Sequence, residues 1–145
     1  LLFLLFLFFT SKSYTAENKK FLSLKNNKVN LRQGPSFRYP IKLTYNKKYL
    51  PVFILDQSDA WRKIGDLENN TGWIHISQLT KKKTAINVKN NTILYKNPTI
   101  FSKPIAKIEI GRLLLIKKCK IKWCKVKSKN YKGWVFKDSL WGKIK

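Results

Sequence analysis

The chain has 145 residues, of which 31 are lysine or arginine and 7 are acidic, giving a formal net charge of +24. An apolar content of 43% with 14% aromatics excludes wholesale disorder, and the length fits one domain or two very small ones. The charge would attract nucleic acid, anionic lipid or an acidic wall polymer. However, only Arg32, Arg38, Arg62 and Arg112 are arginine, and Asn, Ile, Phe and Tyr are also plentiful. An AT-rich genome writes that composition by codon bias, so the charge by itself names no partner.

In chain order, Leu1 to Phe9 is an unbroken Leu/Phe run followed by Thr10-Ser11-Lys12-Ser13. It is too short to span a bilayer, which needs about 20 residues. It matches the apolar centre of a secretory signal whose charged start precedes the recorded chain, with cleavage after Ser13 or Ala16. Residues 1–16 are therefore read as a signal peptide, the alternative being an uncleaved anchor, and the chain as periplasmic or otherwise exported. Contact with a membrane is expected only through an uncleaved signal.

Short β signals follow. Val29 to Arg32 is stopped by Gln33-Gly34-Pro35, Pro40 opens a strand through Tyr45, and Pro51 to Leu55 is a third. Asp56 to Asp59 reads as a turn, Trp61 to Ile64 as a strand, Leu67 to Asn70 as a turn and Gly72 to His75 as a fifth strand. Ile76 to Leu79 reads as a short helical turn, and no segment has the 3.6-residue period of a long helix.

The plan then repeats. Trp61-Arg62-Lys63-Ile64 recurs as Trp123-Cys124-Lys125-Val126, Gly72-Trp73-Ile74 as Gly133-Trp134-Val135, and Leu79 as Leu140. Upstream, Leu31 to Pro35 pairs with Leu94 to Pro98, and Pro40-Ile41 with Pro104-Ile105. Anchors in the same order mean two copies of one unit, over residues 25–80 and 84–142. Each is an all-β, five-stranded small barrel. Units of this size bury too little surface to be robust alone, and the short 81–86 connection lacks Gly and Pro, so the two are expected to pack together.

Val29-Asn30-Leu31-Arg32-Gln33-Gly34-Pro35-Ser36, then Trp61-Arg62-Lys63-Ile64, then Gly72-Trp73-Ile74 resembles the bacterial Src homology 3 family. The second unit keeps the later motifs but has Tyr95-Lys96-Asn97 in place of the first. The resemblance implies two tandem barrels in an exported protein, acting as a wall-binding or protein-binding module.

Strand parity puts Ile64 and Val126 inside, with Arg62 and Cys124 on the same side, so Trp61 and Trp123 face away from the core. In eukaryotic relatives a Trp at the matching place walls a groove for proline-rich peptides. Trp61 and Trp123 are thus candidate contact residues, or else they seal the interface between the barrels. Arg32, Tyr39, Tyr45 and His75 could line a shallow cleft beside Trp61, although a lone His is also an ordinary structural residue. His75 and Gln78 in the first unit, and Phe136 and Ser139 in the second, replace the Pro and Tyr of the eukaryotic groove.

Cys119 and Cys124 fit neither a zinc site nor a redox pair, and with distant His75 they make no ordinary metal site. On adjacent strands of a hairpin they would be within bridging distance, forming a disulfide in an oxidising compartment; two free buried thiols is the alternative. The acidic residues show no paired spacing, and no Ser-His-Asp, Cys-His, P-loop or HExxH pattern occurs. A non-catalytic binding protein without cofactor or metal is expected, with peptidoglycan or an envelope protein as partner. The rival is a basic barrel that stacks and neutralises nucleic acid.

Overall fold

The computed structural model describes residues 20–145; the expected signal at residues 1–16 lies outside them. Two seven-stranded antiparallel sheets follow one another along the chain. The first contains β1 (Phe21–Leu24), β2 (Val29–Arg32), β3 (Ile41–Tyr45), β4 (Pro51–Ser58), β5 (Trp61–Gly65), β6 (Thr71–His75) and β7 (Leu79–Thr80). The second contains β8 (Thr84–Asn87), β9 (Thr92–Tyr95), β10 (Pro104–Ile108), β11 (Leu113–Cys119), β12 (Trp123–Ser128), β13 (Tyr131–Phe136) and β14 (Leu140–Gly142).

The strand orders are the same, β3-β2-β6-β5-β4-β1-β7 and β10-β9-β13-β12-β11-β8-β14. The five strands expected in each unit are all present, and a short strand at either end adds two more. The first sheet thus begins at Phe21, and what reads as a turn at Asp56 to Ser58 continues β4 past a bulge at Leu55. Single turns of 3-10 helix, Ile76–Gln78 and Lys137–Ser139, precede the last strand of each unit.

Alternating residues build two separate cores. Leu24, Val29, Leu31, Val52, Ile64 and Ile74 close the first, and Ala85, Leu94, Leu114, Cys124, Val126 and Val135 the second. Cys124 is on the interior side with Val126, as strand parity requires. Arg62 shares that side of β5, but its guanidinium turns back to the carbonyls of Asp59 and Trp61 at 2.8 and 3.0 Å.

The backbone corrects one detail of the repeat. Gln33 N bonds Pro40 O as Lys96 N bonds Lys103 O, so Pro40 corresponds to Lys103, one residue before the Pro104 that identity alone suggests.

The units pack against each other at a seam that neither motif tryptophan touches. Trp141 meets Phe21 edge-on at 5.0 Å and Phe53 at 6.1 Å. Buried Ser23 lies 2.8 Å from Thr84 Oγ1 and donates to Lys82 O, while Thr84 donates to Tyr49 O at 2.7 Å. Lys143 sits at the same seam, its pKa lowered by partial burial and by Lys83, Lys81 and Lys20.

Cys119 and Cys124 form a disulfide between directly opposed residues of β11 and β12. Closing so short a loop stabilises by about 2 kcal/mol on the chain-entropy estimate. Reduction should lower the unfolding free energy of the second unit, extrapolated from denaturant titration, by that amount and leave the first unit unchanged, as followed by Ile methyl resonances assigned to each.

Candidate functional site

β2 alternates buried Val29 and Leu31 with Asn30 and Arg32 on the other face. That face forms one wall of a cleft of about 190 Å³, lined by Lys28, Asn30, Arg32, Phe37, Trp61, His75 and Gln78. Arg32 organises it. Its Nη1 donates to the carbonyls of Phe37 and Tyr39 at 3.2 and 3.0 Å, folding the 33–40 loop back over the strands. Phe37 is thereby held 4.8 Å from Trp61 and 5.4 Å from His75, with the Arg32 guanidinium 5.4 Å from its ring centroid. Trp61 and His75 face each other across β5 and β6, their ring centroids 5.2 Å apart.

Trp61 stands off the core as parity predicts, yet it is only 8% exposed because this loop covers it. It acts as the floor of the cleft, while Phe37 is the projecting edge at 66% exposure. His75 Nδ1 accepts from the Ser77 amide at 3.2 Å and lies 2.8 Å from Ser77 Oγ, which fixes the orientation of the ring.

The structure therefore brings together Arg32, Trp61 and His75 of the expected set. Tyr39 sits beside the cleft rather than in it; its ring covers Gly34, where an added Cβ would meet ring atoms at 2.5 Å. Tyr45 does not reach the cleft at all. It is buried in the first core and donates to Asp66 Oδ2 at 2.8 Å. Burial first, then the Asp66 hydrogen bond, pushes its pKa above the ordinary tyrosine value. The alternation of Leu43 and Tyr45 with Lys42 and Thr44 along β3 is the signal that separates Tyr45 from the cleft. The same parity along β2 points to Lys28 and Asn30. Phe37 carries no such signal, because a loop has no period.

The second unit has a cleft at the corresponding place, about 300 Å³, with Asn91, Ile93, Tyr95, Phe136 and Ser139 at positions equivalent to Lys28, Asn30, Arg32, His75 and Gln78. Trp123 is half-buried, stacked on Phe136 at 4.2 Å and edge-on to Tyr95 at 5.6 Å. Its charged groups neutralise each other, Lys89 lying 3.1 Å from Asp138. One cleft is thus cationic and aromatic, the other aromatic and locally neutral. Both tryptophans are spent within their own unit, so the alternative role of sealing the interface falls to Trp141.

A third cavity, about 360 Å³, opens at the seam and includes Tyr45, Asp66, Glu68 and Ile86. Asp66 is fully engaged there by Tyr45, Asn70 and the amides of Glu68 and Asn70. Among the described residues no group of three or more His, Cys, Asp or Glu could hold a metal ion.

The model of the bacterial SH3 domain matches residues 25–81 and again residues 88–142. No curated protein matches the chain. Among solved structures it is similar to NlpC2 and NlpC1 from Trichomonas vaginalis, at 15% and 16% identity and TM-scores of 0.40 and 0.39. Those alignments cover 89% and 90% of this chain but 50% and 47% of the other. An NlpC/P60 family protein from Bacillus cereus is similar at 14% identity and a TM-score of 0.39, over 84% of this chain and 56% of that one. The chain thus spans about half the length of these proteins, and likeness at this level carries no inference about activity. The two family matches fall on the two sheets, which repeat one strand order: the chain belongs to the bacterial SH3 domain family, as two tandem copies.

Proposed function

We propose that the chain is an exported, non-catalytic binding protein whose first domain engages peptidoglycan, or a protein of the envelope, through the Trp61 cleft. Bacterial SH3 domains are binding modules, which supports the general class. The observation that carries the specific reading is the composition of the first cleft. An aromatic floor and edge, Trp61 and Phe37, stand beside Lys28 and Arg32 with no acidic residue in the lining. Sugar faces and peptide backbones pack on aromatic rings, and the carboxylates of glycan strands and stem peptides suit the cations. The Cys119–Cys124 disulfide supports an oxidising compartment.

Retention of the protein on purified sacculi over a salt series tests this. Phe37→Ala removes an exposed ring without opening the core and should weaken binding roughly tenfold at fixed salt, as an aromatic contact residue does. Complete loss of binding at moderate salt, indifferent to Phe37→Ala, would reduce the interaction to bulk lysine charge. Tighter retention on single-stranded oligonucleotide than on sacculi would favour the nucleic-acid reading. A cytosolic pool with reduced thiols on fractionation would overturn export.

A further inference from the structure

The two domains differ sharply at two loop tips that the repeat makes directly comparable. The bond from Tyr39 N to Ser36 O recurs as Ser102 N to Thr99 O, and Ser36 Oγ accepts the Arg38 amide as Thr99 Oγ1 accepts that of Phe101. Phe101 therefore stands where the first domain has Arg38. In the hairpin, Gln57 opposite Arg62 corresponds to Cys119 opposite Cys124, so Ile121 stands where the first domain has Asp59. At both tips a charged residue has become an apolar one, and Phe101 and Ile121 are each 91% exposed.

Ile121 is not a residue that a turn would select. Asp59 holds a left-handed φ of 50°, tolerable for Asp and strained for a β-branched side chain. Ile121 does not adopt that conformation, and the disulfide at the base clamps the hairpin.

Both tips rise from one end of the domain. Trp123 directly follows the 120–122 turn and packs on Tyr95, the last residue of β9 before the 96–103 loop. Half-exposed Ile100 adjoins Phe101. Lysines flank the tips in sequence: Lys120 and Lys122 around Ile121, Lys96 and Lys103 at the ends of the other loop. The Lys137 amide also bonds Lys122 O. The two acids of this domain, Glu109 and Asp138, are already paired with Arg112 and Lys89. Single apolar side chains projecting convexly from a cationic surround match a soft anionic interface better than a groove-binding peptide.

We propose that this end of the second domain docks on an anionic lipid bilayer, with Phe101 and Ile121 entering the headgroup–acyl boundary and the surrounding lysines meeting lipid phosphates. The first domain, with Arg38 and Asp59 at its tips, stays free to present the Trp61 cleft. Docking at this end is independent of what that cleft binds.

The test uses the full chain with labelled Ile methyl groups and Phe rings, added to vesicles of phosphatidylcholine with about one third phosphatidylglycerol and a headgroup nitroxide. Ile121 and Phe101 should broaden selectively, while Ile41 and Ile76 of the first domain, 47% and 44% exposed, should not. Because the readout is residue-specific, attachment through residues 1–9 does not mask it. The double variant Phe101→Arg with Ile121→Asp installs the first domain's residues and leaves net charge unchanged. It should lower the vesicle partition coefficient at least about tenfold. Uniform broadening, or equal partition of the variant, would overturn the proposal in favour of bulk charge or the amino-terminal segment. Loss of sacculus retention by the variant without lipid broadening in the wild type would overturn it in favour of a wall ligand. If the double variant fails to fold, the wild-type broadening pattern alone decides.

Discussion

Replacing Asp66 by Ala should remove most of the stability of the first domain while leaving that of the second intact. Asp66 is 7% exposed, and its carboxylate accepts four hydrogen bonds, from Tyr45 Oη, Asn70 Nδ2 and the amides of Glu68 and Asn70, at 2.8 to 2.9 Å. Truncation strands the tyrosine hydroxyl inside the core and releases the 66–70 turn, at a cost of about 3 kcal/mol. A domain of this size holds about 5 kcal/mol in total, so most of its stability goes. The second domain has Ile108 and Ser128 at the corresponding places and no such network, so its methyl resonances should keep their native shifts in the variant. A single cooperative transition for both domains would mean that the seam, rather than each core, governs unfolding.

The same pair predicts an alkaline limit. Tyr45 is held protonated in the folded domain, its pKa raised from 10.0 by burial and by Asp66. Below that value both states carry the proton and stability is unaffected. Above it the unfolded chain ionises first, so this residue's contribution falls by about 1.4 kcal/mol per pH unit. Tyr45→Phe should cost only about 1 kcal/mol at neutral pH and remove the added slope. Parallel stability–pH curves for the two proteins would refute this account of Tyr45.

The second large effect lies in the glycine of the Gly-Trp motif. A Cβ on Gly133 would stand 2.6 Å from Tyr95 O and 2.8 Å from Leu94 Cγ; on Gly72 it would stand 2.7 Å from Leu31 Cγ and 2.8 Å from Arg32 O. A backbone oxygen cannot rotate away, so the strands must part. β13 meets β9 through one register pair, Trp134 with Tyr95, and β6 meets β2 through Trp73 with Arg32. Gly72→Ala and Gly133→Ala should each cost about 2–3 kcal/mol. Gly72→Ala should also displace Arg32 from the Phe37 and Tyr39 carbonyls, so sacculus binding falls even where the domain stays folded. Unchanged binding and stability in Gly72→Ala would show that β2 and β6 have slack that the close approach denies.

The motif glycines were readable as motif residues, but their reason was not. The clash partner of Gly133 lies on β9, 38 residues away along the chain, and only sheet pairing brings them together. Trp61 shows the same division. Parity on β5 correctly set it off the core, but parity says nothing about what covers a strand's outer face. That was decided by the 33–40 loop, which Arg32 folds down through two carbonyls. Tyr45, by contrast, was misplaced although its strand carried the signal: Leu43 and Tyr45 alternate inward, opposite to the cleft wall. The seam was expected from unit size and linker composition, yet its residues, Phe21, Phe53 and Trp141, have no local pattern to mark them.

By itself the sequence determined two copies of one all-β unit, the alternation that fills each core, and a cysteine pair on adjacent strands. These depend on contacts near in the chain or on a repeat that displays itself. Tertiary structure alone decided which aromatic rings meet. It made Trp61 a floor with Phe37 as its edge, gave the seam to Trp141, and left Phe101 and Ile121 bare at one end. Side-chain exposure is set by which loops fold over which strands, and that is a property of the assembled domain.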